Sequence, residues 1–220
     1  MRAWIAAALI ALPSAALAFE VPDLADRLQR HTERAVQAHH GIGAPVAIHA
    51  AIIHQESRWR PDAESPAGAQ GLAQFMPGTA GDIPALIGGE RFDPFDPRQS
   101  VAAMAAYTAW LYNHPAISQA DTECDRWAMV LSAYNGGIGN LRNDQLLAEE
   151  HGADPTRWWG QVDLYSARGR PAYHENRTYV ILVILAWQRE YLEAGWGGPF
   201  ICEGHPAPNP DIAQANTIDQ

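Results

Sequence analysis

Lysine is absent from the 220 residues, so all 15 basic side chains are arginines, set against 25 acidic ones for a formal net charge of −10. Such a balance offers no broad basic face, which argues against nucleic acid as a partner. No segment alternates apolar and polar residues at the strand period, and no internal repeat is visible, so sheets and solenoids are not expected. None of the nine histidines stands at a metal-binding interval such as His-Glu-x-x-His, and neither a metal nor any other cofactor is expected. Long apolar runs are scarce as well. Ala3 to Leu12 falls short of the roughly 20 residues that a bilayer span needs, and Tyr179 to Trp187 is closed by Arg189 and Glu190. The mature chain is therefore expected to lack a membrane span.

The N-terminus carries what those exclusions leave. Met1 and Arg2 precede the short apolar run, and Pro13, Ser14 and the small residues Ala16-Leu17-Ala18 follow it. This is the pattern of a secretory signal peptide over residues 1–18, cut after Ala18. No cysteine lies near the cut, which argues against a lipid-modified mature N-terminus. Export to the periplasm, or beyond it, would expose Cys124 and Cys202 to an oxidising compartment. A disulfide between them is one reading and two buried thiols the other. The rest is long enough for one domain with a substantial core, expected over residues 19–203, with a mobile tail over 204–220 rich in Pro, Asn and Asp. Nothing in the sequence demands an oligomer, and monomer is the default.

Helical periodicity runs through most of the chain, so an all-α fold is expected. Leu24, Leu28, His31, Ala35 and Ala38 recur at helical spacing up to Gly41. Pro45 can open a second helix running to Ser57, with Val46, Ala50 and Ile53 on one face. A loop rich in Pro, Gly and Ala follows from Pro61 to Gly71. Asp96-Pro97 reads as a cap and a first-turn proline for a helix carrying Val101, Met104, Ala105, Thr108 and Leu111. Another helix is expected from about Asp121 to Tyr134, stopped by Gly136-Gly137, and a last long one from near Pro171 to Gly195. The stretch Asn143 to Gly169 looks irregular.

One carboxylate stands out. In Ile52-Ile53-His54-Gln55-Glu56-Ser57 an acidic residue closes an otherwise apolar helix. Apolar burial and the negative end of the helix dipole both raise the pKa of Glu56, which suits a general acid for glycosidic bonds. The segment alone also allows a surface ion pair with Arg58 or Arg60. His54, two residues before, falls on another face of the helix and makes no pair with Glu56.

Three further segments bear on that choice. They are Ser65-Pro66-Ala67-Gly68-Ala69-Gln70-Gly71-Leu72-Ala73-Gln74-Phe75-Met76-Pro77, then Ala133-Tyr134-Asn135-Gly136-Gly137, and Glu175-Asn176-Arg177-Thr178-Tyr179-Val180. With Glu56-Ser57 ahead of them, the chain resembles the catalytic domain of the soluble lytic transglycosylases, the SLT-type branch of the lysozyme-like superfamily. The likeness runs from Ala47 to about Trp187, with a motif core over about 45–190, nine residues from Glu56 to Ser65 and twenty to Met76. Ala73 stands where many members have Met, and the stretch between Asn140 and Glu175 is longer than a minimal domain needs.

The resemblance implies a lysozyme-like helical domain with a cleft that binds peptidoglycan. Glu56 would protonate the glycosidic oxygen between N-acetylmuramic acid and N-acetylglucosamine, then act as base toward the C6 hydroxyl, leaving a 1,6-anhydro end. Ser65, Gln74, Met76, Tyr134, Asn135, Glu175 and Tyr179 match cleft positions. Trp158, Trp159 and Trp196 are either sugar platforms or core. Arg157 and Arg168, in the extra stretch, would sit beside the cleft to meet substrate carboxylates. Two other functions remain open: a hydrolytic muramidase, which would need a second carboxylate such as Asp62 or Asp82, and a non-catalytic wall-binding factor.

Overall fold

The computed structural model describes residues 19–89 and 91–204. The expected signal peptide over 1–18, and all but Gly204 of the expected tail over 204–220, lie outside them. Eight α-helices carry the fold: α1 (Asp23–His40), α2 (Val46–Ser57), α3 (Pro77–Ile87), α4 (Pro97–Tyr112), α5 (Glu123–Gly136), α6 (Ile138–Glu150), α7 (Arg170–Ile181) and α8 (Gln188–Glu193). A π-helical turn, Leu182–Trp187, joins α7 to α8 without a break. Among the described residues strand pairing is limited to isolated bridges, Glu64 with Gln70 and Gln70 with Phe75. The all-α expectation holds.

Helix α2 is the axis. Ten of its residues, from Val46 to His54 and then Ser57, are buried, so the expected single apolar face is instead a helix covered all round. Helix α1, the π turn and α8 pack against it. Helix α1 shows the opposite pattern, burying Ala25, Leu28, Thr32 and Val36 on one stripe and packing on α4. That stripe is rotated by about one position from the one expected, with Leu28 common to both. At the start of α4, Asp96 accepts from the amides of Arg98 and Gln99 at 2.9 Å, with Pro97 in the first turn, as expected. Thr122 caps α5 by accepting from the Asp125 amide at 3.0 Å, and the helix stops at Gly137, whose φ of 85° is costly for any side chain.

Two helices were not expected. Helix α3 runs through Pro84 and buries only Ile83 among its residues, so it lacks the apolar stripe by which helices are recognised. Helix α6 occupies the first part of the stretch expected to be irregular. Its buried residues are Leu141, Asp144 and Ala148, a helical stripe interrupted by a carboxylate that counts as polar in any periodicity. Beyond it, Trp158 is buried and Arg177 lies over its ring at 4.6 Å. Trp196 is buried too, and Trp159 donates to Cys124 Sγ at 3.0 Å. All three tryptophans are packing residues. Cys124 and Cys202 are joined in a disulfide across 78 residues, tying the segment after α8 to the start of α5. No helix among the described residues is long and apolar enough to cross a membrane.

Candidate active site

Glu56 sits in the last turn of α2, just before Arg58 turns the chain with a φ of 52°. The loop that follows folds back on itself through its own backbone. The Ser65 amide donates to Ala69 O at 2.9 Å, Ser65 Oγ accepts from the Ala69 amide at 3.0 Å, and the Gly71 amide donates to Ala63 O at 2.9 Å. Gly71 itself has a φ of 73°, and a Cβ there would lie on the Pro94 carbonyl. Gln74, at a φ of 49°, donates its amide nitrogen to Gly71 O at 2.9 Å and Ala63 O at 3.1 Å. This tight loop brings Ser65, Gln74 and Met76 to one side of a groove of about 470 Å³ whose other residues include Glu56, Thr79, Tyr107, Tyr134, Asn135 and Glu175.

Six of the seven positions matched alongside Glu56 therefore line its groove. The seventh, Tyr179, stands behind it. Buried on α7, it donates its hydroxyl to Glu56 Oε1 at 2.7 Å. Glu175, one helical turn earlier, shares that face of α7. Tyr134 donates to Ala73 O at 2.8 Å, joining α5 to the loop.

The electrostatics follow from this packing. Burial pushes the Glu56 carboxyl from the usual carboxylate range up to about 7; the Tyr179 bond pulls it down and the charge of Glu175 pushes it up. The opposing Tyr179 bond is weaker than the burial it faces. Tyr179 and Tyr134 are both raised well above the ordinary tyrosine value, first by burial and then by the charge of Glu56, so both stay hydroxyl donors. With Oε1 engaged by Tyr179, Oε2 is the atom of Glu56 left to serve the groove. The surface ion pair with Arg58 or Arg60 is not formed. Arg60 instead donates to Ser57 O at 3.0 Å. His54 turns away, its Nδ1 meeting the Tyr191 hydroxyl at 3.0 Å.

Sequence reasoning missed Tyr107 and Asn176. The Tyr107 ring meets Tyr134 at 5.6 Å and Phe75 at 6.0 Å. Its place in the sequence, between Met104 and Leu111 on α4, reads as core edge. Asn176 is fully buried and donates to Asn135 Oδ1 at 2.8 Å. Its neighbour Glu175 was visible through the motif, but a buried amide has no signature of its own. Arg168 is not beside the groove to meet carboxylates of a substrate: it is bound to Asp144 at 2.6 Å in the interior. Arg157 lies 3.6 Å from Asp121 at the surface. Neither Asp62 nor Asp82 lines the groove.

Comparison with known proteins identifies the family. Membrane-bound lytic murein transglycosylase F of Alcanivorax borkumensis is 32% identical over 156 residues, covering 71% of this chain and 32% of that protein. The protein of the same name from Pasteurella multocida is 37% identical over 133 residues, 59% of this chain and 24% of that one. The chain thus spans a third or less of the length of these relatives. In fold it is similar to the 70 kDa soluble lytic transglycosylase of Escherichia coli, with a TM-score of 0.52 and 23% identity over 81% of this chain and 26% of that one. The same enzyme in complex with bulgecin A gives a TM-score of 0.54. The family model for the transglycosylase SLT domain matches residues 36–155, more than half of the chain, and the chain belongs to that family.

Proposed function

We propose that this chain is an exported lytic transglycosylase that cleaves the bond between N-acetylmuramic acid and N-acetylglucosamine in peptidoglycan. The observation that carries the reading is one half-buried carboxyl, Glu56, held near neutrality in an open groove and bonded on one oxygen to Tyr179. At a pKa of about 7 it is present both as acid and as base under ordinary conditions, as a residue that must do both requires.

The proton on Glu56 passes to the glycosidic oxygen as the bond from that oxygen to C1 breaks. Positive charge develops at C1, stabilised by the acetamido oxygen of the same sugar. Glu56, now a carboxylate, keeps the Tyr179 hydrogen bond, which is stronger to the charged form than to the neutral one. The C6 hydroxyl then attacks C1 and gives its proton to Glu56, which regenerates the acid and closes the 1,6-anhydro ring. No water enters the balance. Tyr134 and Asn135 face the reacting sugar, and Ser65, Gln74, Met76 and Glu175 line the subsites around it.

The hydrolytic alternative asks for a second carboxylate placed to activate water. Asp62 and Asp82 are outside the groove lining, where Glu175 is, among the described residues, the one other carboxylate beside Glu56. The signal peptide pattern over residues 1–18 and the names of the relatives support a place of action in the periplasm. Digestion of purified sacculi in ¹⁸O-labelled water, read by mass spectrometry, tests the reaction. Anhydro ends without label are expected; labelled reducing ends would make the enzyme a muramidase, and intact glycan a binding factor.

A further inference from the structure

Behind Asn135 lies a buried polar cluster that the reaction as described does not use. Asp144 on α6 is fully buried, and its Oδ2 accepts from Arg168 Nη2 at 2.6 Å and from Arg177 Nη2 at 3.0 Å. Both arginines also donate to one atom of the adjoining amide. Asn176 Oδ1 accepts from Arg177 Nη1 at 2.7 Å, from Arg168 Nη2 at 3.2 Å and from the Ser132 hydroxyl at 2.8 Å. The other end, Asn176 Nδ2, donates to Ser132 O at 2.9 Å and to Asn135 Oδ1 at 2.8 Å.

These contacts leave the amide no freedom to turn over. A guanidinium has donors and no acceptor, so the end of Asn176 facing two of them must be the oxygen. The nitrogen must then face Ser132 O and Asn135, and the atom of Asn135 that receives it must be oxygen. The remaining end of Asn135, its amide nitrogen, is fixed as a donor. Asn135 lines the groove. Gly136 is part of the same device: a Cβ there would collide with the Arg168 guanidinium and press on Asn176 Nδ2 at 3.0 Å. A side chain at Gly136 would require the Arg168 guanidinium to shift from its place beside the amide.

We propose that Asn176 is a positioning residue: held by Arg168 and Arg177 on Asp144, it sets the Asn135 amide so that Asn135 meets the sugar as a hydrogen-bond donor. This rests on the reading of the groove as a glycan-binding active site. It also gives the longer stretch between Asn140 and Glu175 a role, since Asp144 and Arg168 both come from it. Its contribution is made from behind the groove, through orientation.

The test exchanges one atom. In Asn176→Asp the nitrogen facing Asn135 becomes an oxygen, so Asn135 must turn its own nitrogen inward and present its carbonyl to the sugar. Turnover of sacculi should fall by about tenfold or more, as expected when one preorganised donor is lost. In an Asn135→Ala background the same exchange should change kcat by less than about twofold, because the two residues act as one unit. A purely structural Asn176 would give equal losses in both backgrounds and would overturn the proposal. If Asn176→Asp does not fold, Asn135→Asp supplies the same test, because it keeps an oxygen toward Asn176 and turns an acceptor to the groove. Full activity in that variant would contradict the proposal. A binding arm separates failure here from failure of the function. Calorimetric titration of N-acetylglucosamine oligomers into Glu56→Gln, with and without Asn176→Asp, reads the donor whether or not anhydro ends are formed. Weaker binding by about tenfold is expected in the double variant, and equal affinity counts against the proposal.

Discussion

The Tyr179 hydroxyl meets Glu56 Oε1 at 2.7 Å across 123 residues of sequence. This contact brings the first motif and the last together, and it is the one interaction that pulls the Glu56 pKa down against burial. Tyr179→Phe removes the donor while keeping the ring, so the Glu56 pKa should rise above about 7. As the proposed acid, Glu56 must carry its proton for the first step, so activity should be lost on the alkaline side as it deprotonates. The alkaline limb of kcat/KM against pH should therefore move to higher pH in the variant, with a lower plateau because the carboxylate formed in the reaction has lost its partner. An unshifted limb would separate Tyr179 from the titration of Glu56.

The same burial has a cost in stability. The folded pKa of Glu56, about 7, lies above the ordinary value of 4.5, so between those values the folded state holds the proton more tightly than the unfolded one. Stability is then lost as pH rises through that window and stays lost above it. A shift of this size corresponds to at most about 3 kcal/mol. Glu56→Gln should be more stable than the wild type by up to that amount at pH 8 and nearly equal to it at pH 4, as read by denaturant unfolding. His40, His49 and His54, all lowered chiefly by burial, destabilise the fold as pH falls below the ordinary histidine range. They do so in both proteins and cancel in the difference.

Two glycines in the loop after α2 make contrasting predictions. Gly68 and Gly71 have φ values of 87° and 73°, but a Cβ on Gly68 meets nothing within 4 Å while one on Gly71 falls on the Pro94 carbonyl. Gly68→Ala should cost about 1–2 kcal/mol, the penalty of a left-handed conformation alone. Gly71→Ala should cost clearly more, and should disturb the groove because Gln74 bonds to Gly71 O. Thermal unfolding of the two variants side by side decides it. Equal losses would mean that the contact with Pro94 is readily relieved.

The disulfide between Cys124 and Cys202 closes 78 residues of chain. In the chain-entropy account such a loop is worth about 4 kcal/mol. Reduction, or Cys202→Ser, should lower the free energy of unfolding by an amount of that order while leaving Glu56 and its groove intact, since neither cysteine lines it. Intact mass after alkylation, with and without reductant, verifies the bond itself.

Much of the groove was legible because its residues come in short local patterns. Glu56 at the end of an apolar helix, the loop that follows and the two later motifs each announce themselves within a few residues. What was missed depends on distant partners. Asp144 breaks the apolar stripe of α6 because its charge is met by Arg168 and Arg177, 24 and 33 residues away, and no local periodicity can reveal that. Arg168 looked free to meet substrate for the same reason. Helix α3 is hidden differently: with only Ile83 buried and Pro84 within it, it has neither the stripe nor the propensity of a helix, and it packs against α4. Tyr107 reads as core from α4 alone and becomes part of the groove only when α5 and the loop bring Tyr134 and Phe75 to it.

If Glu56 alone supplies the acid and the base, Glu56→Gln should lose turnover of sacculi. The amide keeps the shape and can still accept from Tyr179, but it has no proton to give. With the fold verified by circular dichroism and binding of N-acetylglucosamine oligomers retained, release of anhydro-ended fragments should fall by at least about 100-fold. Turnover within a few-fold of the wild type would mean that another group supplies the proton.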